Sequence, residues 1–177
     1  MIFEEKTLDS RRVYEGRIIN LRVDKVTVLN GTSTREIVEH NGGSVIAAVT
    51  DDNNIIMVKQ FRKPMEGPVL EVPAGKLDGG EDPAYAARRE LSEETGYTAG
   101  RLEKLTEFYP SVGYTTEVLH LYLATDLIPG DTHPDENEVL EVMEMDLEDV
   151  YQMIMDGKVH DGKTIAAVMM AREKLLG

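Results

Sequence analysis

"GKLDGGEDPAYAARRELSEETGY", Gly75–Tyr97, is the stretch on which the reading of the fold turns. Asp82 followed by Pro83 starts a helix: the Asp side chain can accept from first-turn N–H groups, and Pro at the first helical position forfeits no hydrogen bond. Gly96 supplies the stop, because glycine takes the left-handed conformation that closes many helices. Between them Glu90, Glu93 and Glu94 fall within an arc of about 100°. Ala86 and Ala87 lie beneath, so nothing bulky shields one carboxylate from another, while Leu91 and Ala84 point toward a core. Glu90 and Glu94 are an i,i+4 like-charge pair, which costs a helix about 0.2–0.5 kcal/mol. A solvated acidic face tolerates that repulsion. A hard divalent cation reverses its sign, and oxygen ligands suit Mg²⁺ or Mn²⁺. The residue types alone leave both readings open.

Outward from this helix the chain reads mostly as strands. "RRVYEGRIINLRVDKVTVLNG" is rich in Val and Ile and ends in Asn30-Gly31, a hairpin-turn signal. "TREIVEH" resumes the pattern. "SVIAAVT" and "NIIMVKQF" are short apolar runs of the kind buried strands show. "VLEVPAG" reads as one further strand ended by its Pro and Gly, and "LTEFYPS", "VLHLYLATD" and "EVLEVMEMD" as three more. "LIPGDTHPDEN" is a polar loop. "LEDVYQMIMDG" and "TIAAVMMAREKLL" have helical spacing, with Ala167, Met169 and Met170 expected in the core. Strands mixed with a few helices predict an α/β or α+β sandwich. Residues 1–42 are expected to form a separate β region and residues 43–177 the main domain.

Composition narrows the function. The chain has 177 residues, 41% of them hydrophobic, which suits one domain with an extension. Its 33 acidic and 19 basic residues give a net charge of −14, a surface that repels nucleic acid and anionic membrane. No run approaches the roughly 18 apolar residues of a membrane span, and "MIFEEKTLDSRR" lacks the apolar core of a secretory signal. There is no cysteine, which excludes disulfides and thiolate metal sites and fits a cytoplasmic protein. His40, His120, His133 and His160 have no metal-ligand spacing.

The quoted stretch resembles the Nudix box of the Nudix hydrolases at every fixed position: Gly75, five residues, Glu81, seven residues, then Arg89-Glu90-Leu91-Ser92-Glu93-Glu94-Thr95-Gly96-Tyr97. The resemblance implies an α/β/α sandwich with a mixed sheet, here preceded by an N-terminal antiparallel β extension. "KQFRKP", "EVPAG" and "FYPSVGYTTE", with that extension, resemble the ADP-ribose pyrophosphatase subgroup over nearly the whole chain. Val112 departs from the subgroup's Ser-Pro-Gly. The reaction implied is metal-dependent hydrolysis of ADP-ribose to AMP and ribose 5-phosphate. The alternatives are another nucleoside diphosphate sugar, such as ADP-glucose or GDP-mannose, and a Nudix domain that binds a nucleotide without cleaving it.

Carried over residue by residue, the resemblance makes Glu90 and Glu94 metal ligands, with Glu93 beside them and the backbone carbonyl of Ala74 joining. Mg²⁺ is the implied cofactor, with Mn²⁺ possible. Arg89 becomes structural, pairing with glutamates of its own helix. The catalytic base is implied in "HPDENEVLE", Glu136 first and Glu138 second. Arg62 matches a position serving the diphosphate, Arg35 and Glu36 match residues at the adenosine end, and Glu117 is assigned to the terminal ribose or metal. Ile18 or Ile19 is expected against adenine. In the subgroup the N-terminal strands are exchanged between two subunits, which implies a homodimer.

Overall fold

The protein is described from a computed structural model covering residues 2–133 and 139–177. The chain divides into two compact units, residues 1–42 with 109–118, and residues 43–108 with 119–177.

The larger unit is built on β4 (Gly43–Ala48), whose six residues are all buried. Successive side chains of a strand face opposite sides, and here both sides are covered. Val45, Ala47 and Val49 join one apolar cluster with Leu147, Val150, Ala167 and Val168. Ile46 and Ala48 join a second with Ala87, Leu91 and Tyr122. The first cluster lies under α2 (Leu147–Met155) and α3 (Gly162–Leu176), the second under α1 (Pro83–Thr95). The result is the expected α/β/α sandwich. β4 runs parallel to β9 (Leu119–Ile128) and antiparallel to β7 (Ala74–Lys76), and β8 (Thr98–Phe108) completes that mixed sheet in the order β7-β4-β9-β8. A second, antiparallel sheet orders β10 (Glu141–Asp146), β5 (Asn54–Arg62) and β6 (Gly67–Glu71).

"VLEVPAG" is therefore two strands rather than one. β6 pairs with β5 and β7 pairs with β4, so the chain changes sheets at Val72-Pro73. Pro73 has no N–H for a ladder, and its carbonyl accepts from Ile46 N at 2.9 Å. β8 begins well before "LTEFYPS", because its polar first half lies on a sheet edge where alternation is weak. Met169 is 41% exposed rather than core: one residue from buried Val168, it is turned about 100° away along the helix.

The smaller unit is an antiparallel sheet of β1 (Thr7–Glu15), β2 (Asn20–Val28) and β3 (Gly31–Glu39). Gly31 has φ 114° at the turn joining β2 and β3, a conformation that favours glycine. Residues 114–116 attach to the end of β3: Val38 N donates to Tyr114 O (2.7 Å) and Thr116 N to Val38 O (2.9 Å). Among the described residues no helix is long and apolar enough to cross a membrane.

Candidate active site

The helix α1 forms as its sequence dictates. Asp82 Oδ1 accepts from Ala84 N and Tyr85 N, each at 3.0 Å. Gly96, at φ 76°, closes the last turn with its N–H on Ser92 O at 2.9 Å. Ala86, Ala87 and Leu91 are fully buried. The three glutamates share a face with Ala86 and Ala87 and sit at three different depths: Glu94 is 4% exposed, and the side chains of Glu90 and Glu93 are 15% and 41% exposed.

Arg89 gathers the outer carboxylates. Its Nη1 donates to Glu90 Oε1 (2.8 Å) and Glu93 Oε2 (3.0 Å), while Nε and Nη2 reach Glu81 at 3.0 and 3.1 Å. The hydrogen bonds that Arg89 donates to Glu81, then the nearby Glu90 and Glu93, drive its pKa far above the ordinary value, so it is permanently charged. The same contact holds Glu81 below the usual carboxylate range. Arg89 is thus structural as expected, with one partner, Glu81, in the loop before the helix rather than on it.

Glu94 takes the inward place, accepting from Ala74 N at 3.1 Å. Gly75 explains why the neighbouring strand can come so close: a Cβ there would lie 1.8 Å from Glu90 Cδ and 1.9 Å from its Oε1. Only glycine leaves room for the Glu90 carboxylate against β7. Glu90, Glu93, Glu94 and the Ala74 carbonyl offer oxygen ligands, the kind a hard divalent cation takes, so they fit such an ion, with Arg89 Nη1 bridging Glu90 and Glu93 beside them. As the side chains stand, no group of three or more Asp, Glu, His or Cys among the described residues is drawn into ligating geometry.

Arg62, at the end of β5, is held by Glu71 of β6: Nε and Nη2 donate to the two carboxylate oxygens at 2.7 and 2.8 Å. Glu71 is 2% exposed. Burial pushes its pKa up, but the bonds and charges of Arg62 and Lys163 outweigh burial and hold it below the usual range. Arg62 is raised first by that bond to Glu71, and the charges of Glu94 and Asp161 add to it.

The other expected residues lie in the smaller unit. Arg35 on β3 pairs with Glu5 through Nε (2.8 Å) and Nη2, and its Nη1 donates to Ser33 Oγ (3.1 Å) and Thr34 O (2.8 Å). Glu36, next along β3, is exposed. Glu117 Oε1 lies 3.5 Å from His40 Nδ1, which itself accepts from Gly42 N at 3.0 Å. Both line a pocket of about 230 Å³ with Ile19, Val38, Pro110 and Tyr114. His40 carried no signal in the sequence, since its neighbour Glu117 is distant along the chain. Glu136 and Glu138 lie outside the described residues.

Comparison with known proteins covers both units. A profile of the NUDIX domain matches residues 40–168, and one of the nucleoside diphosphate sugar hydrolase N-terminal domain matches residues 5–38. The chain is 47% identical to an ADP-ribose pyrophosphatase of Bacillus subtilis (strain 168), over 97% of this chain and 94% of that one. It is 44% identical to a methanol dehydrogenase activator of Bacillus methanolicus, over 94% and 92%. A GDP-mannose pyrophosphatase of Yersinia enterocolitica is 36% identical, over 81% of each chain. Among solved structures, the crystal structure of an ADP compounds hydrolase superposes with a TM-score of 0.86 at 23% identity, covering 99% of this chain and 96% of that one; this likeness is one of fold.

Proposed function

The chain belongs to the NUDIX domain family, and from that premise we propose that it hydrolyses the pyrophosphate bond of ADP-ribose, giving AMP and ribose 5-phosphate. The observation that carries the substrate is the 47% identity to an ADP-ribose pyrophosphatase over 97% of the chain, both units included. The GDP-mannose pyrophosphatase, at 36% over 81%, supports a second reading in which another nucleoside diphosphate sugar is the substrate.

Mg²⁺ is the proposed metal, with Mn²⁺ as substitute; when bound it supplies charge to the diphosphate and lowers the pKa of a water. Glu90, Glu93, Glu94 and the Ala74 carbonyl are its proposed ligands. Arg89 keeps Glu90 and Glu93 together by sharing Nη1 between them, which offsets their mutual repulsion before any cation arrives. Arg62 is assigned to the diphosphate. Glu136 is the proposed base that takes the proton of the attacking water, with Glu138 as the alternative. His133, the last described residue before the segment 134–138, donates its N–H to Glu93 O at 3.1 Å.

Arg35 and Glu36 are assigned to the adenosine end and Glu117 to the ribose or metal. The proposed assembly is a homodimer in which residues 1–42 are exchanged, and the proposed compartment is the cytoplasm, which the absence of cysteine supports.

The test is product analysis by chromatography after incubation of the purified protein with ADP-ribose and Mg²⁺, with an EDTA control. The expected result is AMP and ribose 5-phosphate only where metal is present. Intact ADP-ribose beside cleaved GDP-mannose moves the assignment to the second reading.

A further inference from the structure

Lys163 breaks a local rule. It stands in the first turn of α3, after the N-cap Asp161 and Gly162, where the helix dipole disfavours a cation. A residue that contradicts local preference has its reason elsewhere in the fold. Here the reason is Glu71, 92 residues away in sequence, whose Oε2 accepts from Lys163 Nζ. Lys163 Nζ also donates to Asp161 Oδ2 at 2.9 Å. Arg62 holds both oxygens of the same carboxylate, Nε on Oε1 and Nη2 on Oε2, so Oε2 is shared with Lys163. Two cations thus share one buried anion, and Asp161 balances the second of them.

The cluster is tied to the metal-ligand strand. Asp161 Oδ2 accepts from Thr164 Oγ1 at 2.6 Å, and Thr164 Oγ1 in turn accepts from Val72 N at 2.9 Å. Val72 is two residues from Ala74, whose N–H is on Glu94. The segment 71–74 is therefore pinned at one end by α3 and at the other by α1. Within this frame the bidentate bond fixes the plane of the Arg62 guanidinium and engages Nε and Nη2, leaving Nη1 as its remaining edge. A fork held in one orientation loses less rotamer entropy when it meets a phosphate oxygen.

We infer that Glu71 and Lys163 are positioning residues that hold Arg62 ready for the diphosphate of the substrate. Lys163 keeps the Glu71 carboxylate aimed at Arg62, and neither residue touches the reacting atoms. This rests on the reading of the site given above, in which Arg62 serves the diphosphate.

The experiment is a double-mutant cycle by steady-state kinetics on ADP-ribose with Mg²⁺, using Glu71→Gln, Arg62→Lys and both together. Glu71→Gln is expected to raise KM about tenfold with kcat within about threefold of wild type and the Mg²⁺ activation midpoint unchanged. The double variant is expected to be no worse than the poorer single one, because residues acting as a unit are non-additive. If Glu71→Gln fails to fold, judged by its melting curve, Lys163→Met takes its place in the cycle, with Lys163→Arg expected to restore KM. An unchanged KM, or effects that multiply in the double variant, overturns the inference while ADP-ribose hydrolysis stands. If wild type leaves ADP-ribose intact, that reading fails, and the cycle is decided by KM on GDP-mannose under the same criteria; cleavage of neither overturns both.

Discussion

The two units solve the same problem, covering the faces of a sheet, to different extents. In the larger one every residue of β4 is buried between α1 on one side and α2 and α3 on the other. In the smaller one all nine residues of β1 are exposed, among them Leu8, Val13 and Tyr14. Among the described residues its sheet has three strands and no helix accompanies it. Charge divides in the same way. Residues 1–42 carry seven acidic and seven basic side chains, so the net −14 comes from the remainder. The acidic surplus thus accompanies the helix that carries Glu90, Glu93 and Glu94, while the neutral sheet leaves apolar side chains of β1 exposed. A second copy of the chain is the cover we propose.

The sharpest way to break this division is at α1. Glu94→Gln keeps the shape of a buried side chain but removes the charge proposed to bind metal. Turnover of ADP-ribose is expected to fall by about three orders of magnitude, with the fold intact by circular dichroism. Near-wild-type turnover would sink the metal assignment. Next in size is Glu136→Gln, expected to lower kcat about a hundredfold with little change in KM. A loss in Glu138→Gln instead moves the base to that residue. Leu91→Ala then probes packing: at 0% exposure under α1, it is expected to cost about 2–5 kcal/mol in a denaturant melt.

Asp82, Pro83 and Gly96 are local signals, and α1 begins and ends where they stand. The apolar run of β4 is local too, and the core follows it. What stayed hidden was long-range or lay on an edge. Val72-Pro73 reads as the end of a strand, but the switch between sheets depends on which partner each half finds. β8 is long yet polar at its start, because an edge strand meets water. Lys163 carries only the hint of a misplaced charge, and nothing along the chain couples it to Glu71. Arg62 was legible as a cation near the site, but the carboxylate that orients it was not. The pairing of Arg35 with Glu5 is of the same kind, 30 residues apart.

A milder probe of the comparison is Arg35→Ala. Its guanidinium is anchored by Glu5, Ser33 and Thr34, and in the proposed reading it meets the adenosine end of the substrate. KM for ADP-ribose is expected to rise about tenfold with kcat preserved, the pattern of binding shared by ground and transition states. A fall in kcat with KM unchanged would place Arg35 at the chemistry instead.

The smallest effect is expected at β1, and it carries the most information about the neutral unit. Leu8 is 55% exposed, so within one chain Leu8→Ser removes little packing and costs no more than about 0.5 kcal/mol. If β1 is covered by a second copy, the same substitution acts on association, and association makes the melting temperature depend on protein concentration. A dilution series therefore separates the two cases. Wild type is expected to melt higher as concentration rises, Leu8→Ser less so, and the two to converge when dilute. Wild-type melting that is flat across the series, with a monomer in sedimentation, removes the second copy as the cover. The exposed apolar side chains of β1 then call for a different partner, while α1 and the predictions made for it stand unchanged.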